Sequence, residues 1–220
     1  QHIGPNYLGG QLDSDARTAR ACAVRHMAAE KARANAALAA AFAEAPLRAR
    51  ELVSDQSRLT DGLVRTALAV AQHLHPLSNP TEGERIAVLA VGGYGRAEMA
   101  PHSDVDIGFI TPGKQTAWCE QVIEAMLYFL WDLGLKIGHS SRSIDEMVRQ
   151  AKSDLTIRTA LLEGRYVWGD QDLYAEAQRR FWAEVVQGTE SAYVAEKLAE
   201  RNDRHKRLGD SRYVVEPNVK

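Results

Sequence analysis

The sequence has little cysteine, no excess of either charge and no long apolar run. Of its 220 residues only two are cysteines, Cys22 and Cys119, and neither has a second Cys or His at ligand spacing. This usage supports neither a disulfide framework nor a zinc site, and it favours a reducing cytoplasm. No stretch approaches the ~18 apolar residues of a membrane span, and the start lacks the pattern of a signal peptide. We therefore expect a cytoplasmic protein without a membrane partner.

The charge balance limits the partners of the chain. There are 27 Lys and Arg residues against 29 Asp and Glu residues, so the formal net charge is −2. Without an excess of positive charge a long phosphate backbone would not be held electrostatically, and we expect no nucleic-acid partner. Hydrophobic residues make up 45% of the sequence and charged residues 25%, which is typical of a globular protein with a packed core in one or two domains.

Two long helices are predicted in the first third of the chain. Residues 12–44 are crowded with Ala, Arg and Glu and contain neither Gly nor Pro. Residues 50–75 carry an apolar series near helical spacing, interrupted once at Gly62. Residues 76–83 are rich in turn formers and have no period, which predicts a loop. These observations predict a helical region over residues 1–80.

The pattern changes at residue 86, where short apolar runs bounded by glycines predict a sheet. Strands are expected at residues 86–91, 105–110 and 135–141, with a helix at 115–133 between the second and the third. Gly134 follows that helix at a position typical of a C-terminal stop.

The C-terminal part is predicted to be helical. Ser143 and Glu146 have the spacing of a capping box, and from there the chain reads as helix almost to its end, broken near Gly169 and Gly188. The predicted fold class is α/β (α+β), a small mixed sheet flanked by helices. The predicted regions are a helical region 1–80, a core sheet 81–142 and a C-terminal helical region 143–220 that continues into a longer protein.

The segment between the first two predicted strands carries the residues suited to chemistry. Gly92 and Gly93 directly follow a buried strand, where they let the backbone approach a ligand such as a phosphate group. Asp104 and Asp106 are two apart on the next predicted strand, so their side chains share a face about 7 Å apart. Buried, unpaired carboxylates are costly, and oxygen ligands beside a phosphate cradle suit Mg²⁺. The pattern predicts a magnesium and phosphate site.

This order of motifs resembles the polymerase-beta type of nucleotidyltransferase. That superfamily has Gly-Gly or Gly-Ser, a spacer, and then Asp-x-Asp or Asp-x-Glu. Within it, Gly92-Gly-Tyr-Gly-Arg96 and Ser103-Asp-Val-Asp106 are similar to the N-terminal domain of the bifunctional P-II uridylyltransferase family. Residues 130–145, 159–165 and 211–220 also resemble that family, so the resemblance covers roughly residues 50–220.

The resemblance implies a reaction and a role for each residue of the motif. It implies a polymerase-beta-like nucleotidyltransferase fold in which Gly92, Gly93, Arg96 and Ser103 bind the nucleotide UTP. Asp104 and Asp106 would be the catalytic residues and the ligands of Mg²⁺. The implied reaction transfers UMP from UTP to a tyrosine of the nitrogen-regulatory protein P-II and releases pyrophosphate.

Two departures from the family pattern are visible in the sequence. The superfamily usually has a third carboxylate on a later strand, but residues 135–141 contain none, and Asp145 and Glu146 beyond them are only substitutes. The chain also contains no His-Asp pair, so we expect neither the metal-dependent removal of UMP nor glutamine sensing from it.

Two other functions stay open at this stage. The chain could be a nucleotidyltransferase with another acceptor, either a protein adenylyltransferase or an enzyme that modifies a small molecule. It could also be a catalytically silent module that senses nucleotides or binds proteins, since the third carboxylate is missing. Nothing in the residue chemistry selects uracil over adenine.

Several basic residues outside the motif are candidate substrate contacts. His139 lies near the end of the third predicted strand, and Arg142 and Arg158 could reach phosphate, but a structural role is the more common one for each. Arg149, Lys152 and Arg158 are expected to contribute to a docking surface for the acceptor protein. The long N-terminal helix is the next candidate for that surface.

Overall fold

The computed structural model describes residues 5–207, with side chains from residue 16 to residue 206. It consists of a small mixed sheet with helices on both faces, as predicted. The strands are β1 Ala87–Ala90, β2 Val105–Thr111, β3 Ile137–Ser143 and β4 Arg165–Gly169. The helices are α1 Pro5–Glu44, α2 Ala49–Leu74, α3 Gly92–Gly95, α4 Ala117–Asp132, α5 Ile144–Ser153, α6 Leu155–Leu162, α7 Gln171–Phe181 and α8 Glu190–Arg207. Short 3-10 turns, Pro46–Arg48 and Glu82–Glu84, and a π-helical turn, Trp182–Val186, complete the elements.

The sheet has the strand order β3-β2-β1-β4. β1 is antiparallel to both of its neighbours, and β2 is parallel to β3. The three predicted strands are therefore confirmed, although the third begins two residues later than expected. Because β1 and β2 are antiparallel, the last residue of β1 and the first residue of β2 lie at the same end of the sheet. The glycine motif and the aspartates meet there.

The prediction that the chain is helical from Ser143 onwards was wrong at residues 165–169. These residues form β4, which pairs with the free edge of β1. Only Val167 is fully buried among them, and Trp168 is exposed, so the segment has no continuous apolar run to mark it as a strand. Its conformation comes from pairing with a strand more than 70 residues earlier in the sequence. Tertiary contact, not local pattern, decided this element.

Alternation along the strands separates two hydrophobic clusters. Ile107 and Phe109 of β2 face the cluster formed with α2 and α4, whereas Ile110 faces the cluster formed with α5 and α7. Asp106 is two and four residues from Gly108 and Ile110, so it lies on the α5 and α7 face. The second cluster covers that face but does not include Asp106. The aspartate therefore lies beside the cluster, at the end of the sheet.

The helical region before the sheet packs directly on α4. Leu63, Val64 and Leu68 of α2 are buried in the first cluster. α1 approaches α4 through Lys31, whose Nζ donates to the carbonyl of Leu133 over 2.7 Å. α2 runs without a break through Gly62, so the predicted interruption does not end the helix.

The predicted helix boundaries after the first two strands are confirmed. α4 starts after Thr116, whose hydroxyl accepts from the N–H of Cys119, and Gly134 follows the helix with φ +71°. The Ser143 and Glu146 capping box also forms and starts α5 directly at the end of β3. Helix signals of this kind act over three or four residues, which is why they can be read from sequence.

Candidate active site

The glycine motif forms a tight turn between β1 and β2. Gly92 has φ +60°, a conformation that side chains disfavour, which explains the glycine. The N–H groups of Gly95 and Arg96 donate to the carbonyls of Val91 and Gly92 over 3.0 Å each. In the part of the chain that the structure describes, the N–H groups of Gly92 and Gly93 have no acceptor. Free N–H groups in a glycine turn are what a phosphate group requires.

Asp106 sits between two glycines that leave room for its carboxylate. A Cβ added to Gly138, the residue paired with Asp106 on β3, would lie 2.4 Å from Asp106 Oδ1. A Cβ added to Gly92 would lie 3.3 Å from Asp106 Oδ2. The turn with the free N–H groups and the carboxylate are therefore in contact. Gly138 was not singled out from the sequence, although a glycine inside a strand often marks such a close approach.

The two aspartates differ in burial, contrary to prediction. Asp104 lies just before β2 and is exposed, whereas Asp106 is on the strand and half-buried. The expectation that both are buried inside an apolar strand was therefore wrong for Asp104. Burial, and secondarily the charge of Asp104, raises the pKa of Asp106. A bound cation would stabilise the ionised form of such a carboxylate. Carboxylate oxygens are ligands that fit Mg²⁺.

A third carboxylate does not join this pair. Asp145 is ion-paired with Arg180 at 2.6 Å, and Glu146 accepts the N–H of Ser143 over 3.0 Å in the capping box. Neither predicted substitute is directed to the site. Among the described residues there is no group of three or more His, Cys, Asp and Glu side chains able to hold a metal. Any metal here would depend on two carboxylates and on substrate oxygens.

Arg96 and Ser103, predicted to bind nucleotide, flank the glycine turn and Asp104. The guanidinium of Arg96 pairs with Glu98 at 2.9 Å and with Glu163 at 2.7 Å, so a phosphate would compete with these carboxylates. The N–H of Ser103 donates to the carbonyl of Ala100 over 3.1 Å, which closes the turn before Asp104. Ser103 also borders a cavity of about 520 Å³ between α1, α2 and this turn. Both roles stay predictions.

A buried polar cluster behind the glycine turn was missed in the sequence. Asp61 of α2, Tyr94 of α3 and Arg165 of β4 meet there through side-chain hydrogen bonds. Asp61 and Tyr94 are separated by 33 residues, and Asp61 and Arg165 by 104. No local spacing marks such a cluster. The only signal was the presence of Asp61 in the apolar pattern of α2.

The three basic residues weighed outside the motif have different positions. His139 pairs with Ile107, so it lies on the sheet face opposite Asp106 and is not placed for a contact at the site. Arg142 is on the same face as Asp106 but donates to Gln150 and Ser140. Arg158 stacks over the ring of Tyr193 at 4.7 Å. Its contact is with α8, not with phosphate.

Fold and site together define a class of protein. A glycine turn with free N–H groups beside a carboxylate pair, at one end of a small mixed sheet, is the arrangement that the sequence motif of a nucleotidyltransferase predicts. Residues 33–156 match the model of the nucleotidyltransferase family DUF294. The chain belongs to this family.

Several curated bacterial proteins named "Bifunctional uridylyltransferase/uridylyl-removing enzyme" are close relatives. The one from Novosphingobium aromaticivorans is 70% identical over 80% of this chain and 19% of its own length. The one from Erythrobacter litoralis is 63% identical over 80% of this chain and 19% of its own length. The one from Cereibacter sphaeroides is 58% identical over 94% of this chain and 22% of its own length. The chain thus spans about a fifth of these relatives.

Similarity to solved structures is much weaker. A chain from "Crystal structure of the toxin-antitoxin with AMP-PNP" gives a TM-score of 0.33 at 12% identity, covering 66% of this chain and 95% of that chain. Similarity at this level supports no inference about function. None of the helices in residues 5–207 is both long enough and apolar enough to cross a lipid bilayer.

Proposed function

We propose that the chain transfers UMP from UTP to a tyrosine of the P-II protein in a Mg²⁺-dependent reaction that releases pyrophosphate. Membership of a nucleotidyltransferase family and the names of the relatives support this proposal. The observation that carries it is the contact between the Asp106 carboxylate and a glycine turn with two free N–H groups. The cysteine usage of the chain fits a cytoplasmic location.

Each part of the site has a role in this reaction. The N–H groups of Gly92 and Gly93 bind triphosphate oxygens and fix the nucleotide at the edge of the sheet. Asp104 and Asp106 would hold Mg²⁺, which supplies neutralisation of the phosphate charge. The tyrosine oxygen of the acceptor forms a bond to the α-phosphorus as the bond to pyrophosphate breaks. The chain contributes mainly by positioning, as is usual in phosphoryl and nucleotidyl transfer.

A second candidate is a catalytically silent nucleotide-binding module. It is favoured by one observation, since both substitutes for a third carboxylate are held in other contacts. Such a module would bind a nucleoside triphosphate at the glycine turn but would not transfer its nucleotidyl group. A transferase with a different acceptor would also transfer UMP or AMP, but not to P-II.

One experiment separates these candidates. The purified chain is incubated with Mg²⁺, P-II and each α-labelled nucleoside triphosphate in turn, and both the nucleotide bound to the chain and the label on P-II are measured. We expect transfer from UTP, and a loss of about 100-fold or more in Asp104→Asn and Asp106→Asn. Asp132→Asn is the matched control, because Asp132 is an exposed carboxylate paired with Arg20. Binding without transfer would indicate the silent module, and label from ATP alone would contradict UTP as the substrate.

A further inference from the structure

A buried carboxylate holds the residue at the centre of the glycine turn. Asp61 is 8% exposed and Tyr94 1% exposed. Tyr94 Oη donates to Asp61 Oδ1 over 2.7 Å, and Arg165 donates to the two oxygens of Asp61 over 2.8 and 3.0 Å. One carboxylate from α2 therefore joins the turn to β4. We refer to Asp61, Tyr94 and Arg165 as the turn anchor.

Tyr94 is the only side chain by which α3 itself can be held. The other residues of α3 are glycines, whose backbone has the most conformational freedom. The carbonyl of Tyr94 also accepts from Arg165 over 3.4 Å, and the Arg165 guanidinium lies 5.5 Å from the Tyr94 ring centre. Burial and the neighbouring Asp61 raise the pKa of Tyr94, so its hydroxyl remains a donor. Contacts with Asp61 and Arg165 thus fix both the side chain and the backbone of Tyr94.

The end of α6 presses on the same turn. A Cβ added to Gly95 would lie 2.4 Å from the carbonyl oxygen of Glu163, so backbone meets backbone there. The Glu163 carboxylate pairs with Arg96 directly after the turn. Arg165 follows two residues later, so both Glu163 and Arg165 contact the turn. At the start of the same turn, a Cβ added to Gly92 would lie 3.3 Å from Asp106 Oδ2.

We propose that Asp61, Tyr94 and Arg165 are positioning residues for the nucleotide triphosphate. They hold the turn in the one conformation that leaves the N–H groups of Gly92 and Gly93 free beside Asp106. They do not touch the nucleotide themselves. The proposal rests on the proposed function, because it assigns the triphosphate to that turn. Nucleotide affinity then depends on the hydrogen bond between Tyr94 and Asp61.

The test compares two tyrosines that each lose one hydroxyl group. Tyr94→Phe keeps the ring and removes the hydrogen bond to Asp61. Tyr166→Phe is the matched control, since Tyr166 lies on β4 beside Arg165 and its hydroxyl donates to the Gly169 carbonyl over 2.8 Å, away from the turn. We expect the KM for UTP to rise about 10-fold in Tyr94→Phe with kcat within about 3-fold, and no change in Tyr166→Phe. A purely structural role would lower the melting temperature of both variants and leave KM unchanged.

A second measurement needs no catalysis. Amide hydrogen exchange at Gly95 and Arg96, whose N–H groups donate to the carbonyls of Val91 and Gly92, should become about 10-fold faster in Tyr94→Phe and stay the same in Tyr166→Phe. If exchange and KM both match the control, the turn anchor has no positioning role and the inference is wrong. If wild-type chain transfers no UMP but exchange still responds to Tyr94→Phe, the proposed function fails while the anchoring of the turn stands. Arg165→Lys keeps a cation for Asp61, so an intermediate effect is expected from it, and it replaces Tyr94→Phe should that variant not fold.

Discussion

At the scale of single residues, the missing side chain of Gly138 is as important as the carboxylate it faces. Gly138→Ala would place a Cβ only 2.4 Å from Asp106 Oδ1, which is too close for two unbonded atoms. The carboxylate would therefore have to rotate away from its position beside the glycine turn. We expect UMP transfer to fall about 10-fold or more while the melting temperature changes little. Gly113→Ala is the control, because nothing lies within 4 Å of the added atom. Equal activity in both variants would show that the position of the Asp106 carboxylate is unimportant.

The raised pKa of Asp106 has a consequence for stability. When the pKa of a carboxyl group is higher in the folded chain than in the unfolded chain, its ionisation costs stability as pH rises through these values. Asp106→Asn removes that cost, so the metal-free variant should melt at a higher temperature than the wild type near neutral pH. The difference should vanish below the ordinary Asp pKa of ~3.9. Melting curves of both proteins across this pH range test the sign, and a less stable variant at neutral pH would contradict it.

Part of the candidate site could be predicted from the sequence at this scale. Gly92, Gly93, Asp104 and Asp106 could be predicted because they lie within one short segment whose order and spacing carry the information. Gly138 could not be predicted because its role depends on strand register, which pairs it with Asp106 across the sheet. The turn anchor forms where three elements meet in the core. The spacing of its three residues in the sequence does not indicate that they are in contact.

At the scale of elements, the junction of β3 and α5 is held by a cap. Ser143 is buried, accepts the N–H of Glu146, and is both the last residue of β3 and the N-cap of α5. Ser143→Ala should lower the free energy of unfolding by about 1 kcal/mol, because the N–H of Glu146 loses its acceptor. Gly62→Ala should have the opposite sign, raising it by about 0.5–1 kcal/mol, since Gly62 is exposed inside α2 with nothing near its Cβ position. Denaturant unfolding measures both, and a destabilised Gly62→Ala would contradict the second expectation.

Elements with a local signal were predicted well, and the one without it was not. The helices α2 and α4 have apolar stripes within their own sequences, and α4 also has the Thr116 cap and the Gly134 stop. β4 is short, half-exposed and placed between helices, so it becomes a strand only by pairing with β1. This pairing also carries Arg165 to the glycine turn. The missed strand and the missed turn anchor therefore have one cause.

At the scale of the whole molecule, the remaining question is where an acceptor protein docks. The proposed transfer requires the acceptor tyrosine beside Asp104 and Asp106, so the docking surface would border that end of the sheet. Of the three basic residues predicted to form it, Arg158 stacks on Tyr193 and donates to Thr189, which engages it in holding α8. Arg149 is exposed on α5, and Lys152 is exposed with a 3.7 Å pair to Glu184. These two are therefore the residues to test.

We expect Arg149→Glu and Lys152→Glu to raise the KM for P-II about 10-fold and to leave the KM for UTP within about 2-fold. The reason is that charge reversal removes any favourable contact between these cations on α5 and the acceptor, whereas the proposed triphosphate site is the glycine turn, which lies on other elements. Arg179→Glu is the control, because Arg179 is equally exposed but lies on α7. Steady-state transfer with either substrate limiting separates the two effects. If both KM values rise together, or neither does, the acceptor docks elsewhere, and α1, which lines the cavity beside Ser103, becomes the next surface to test.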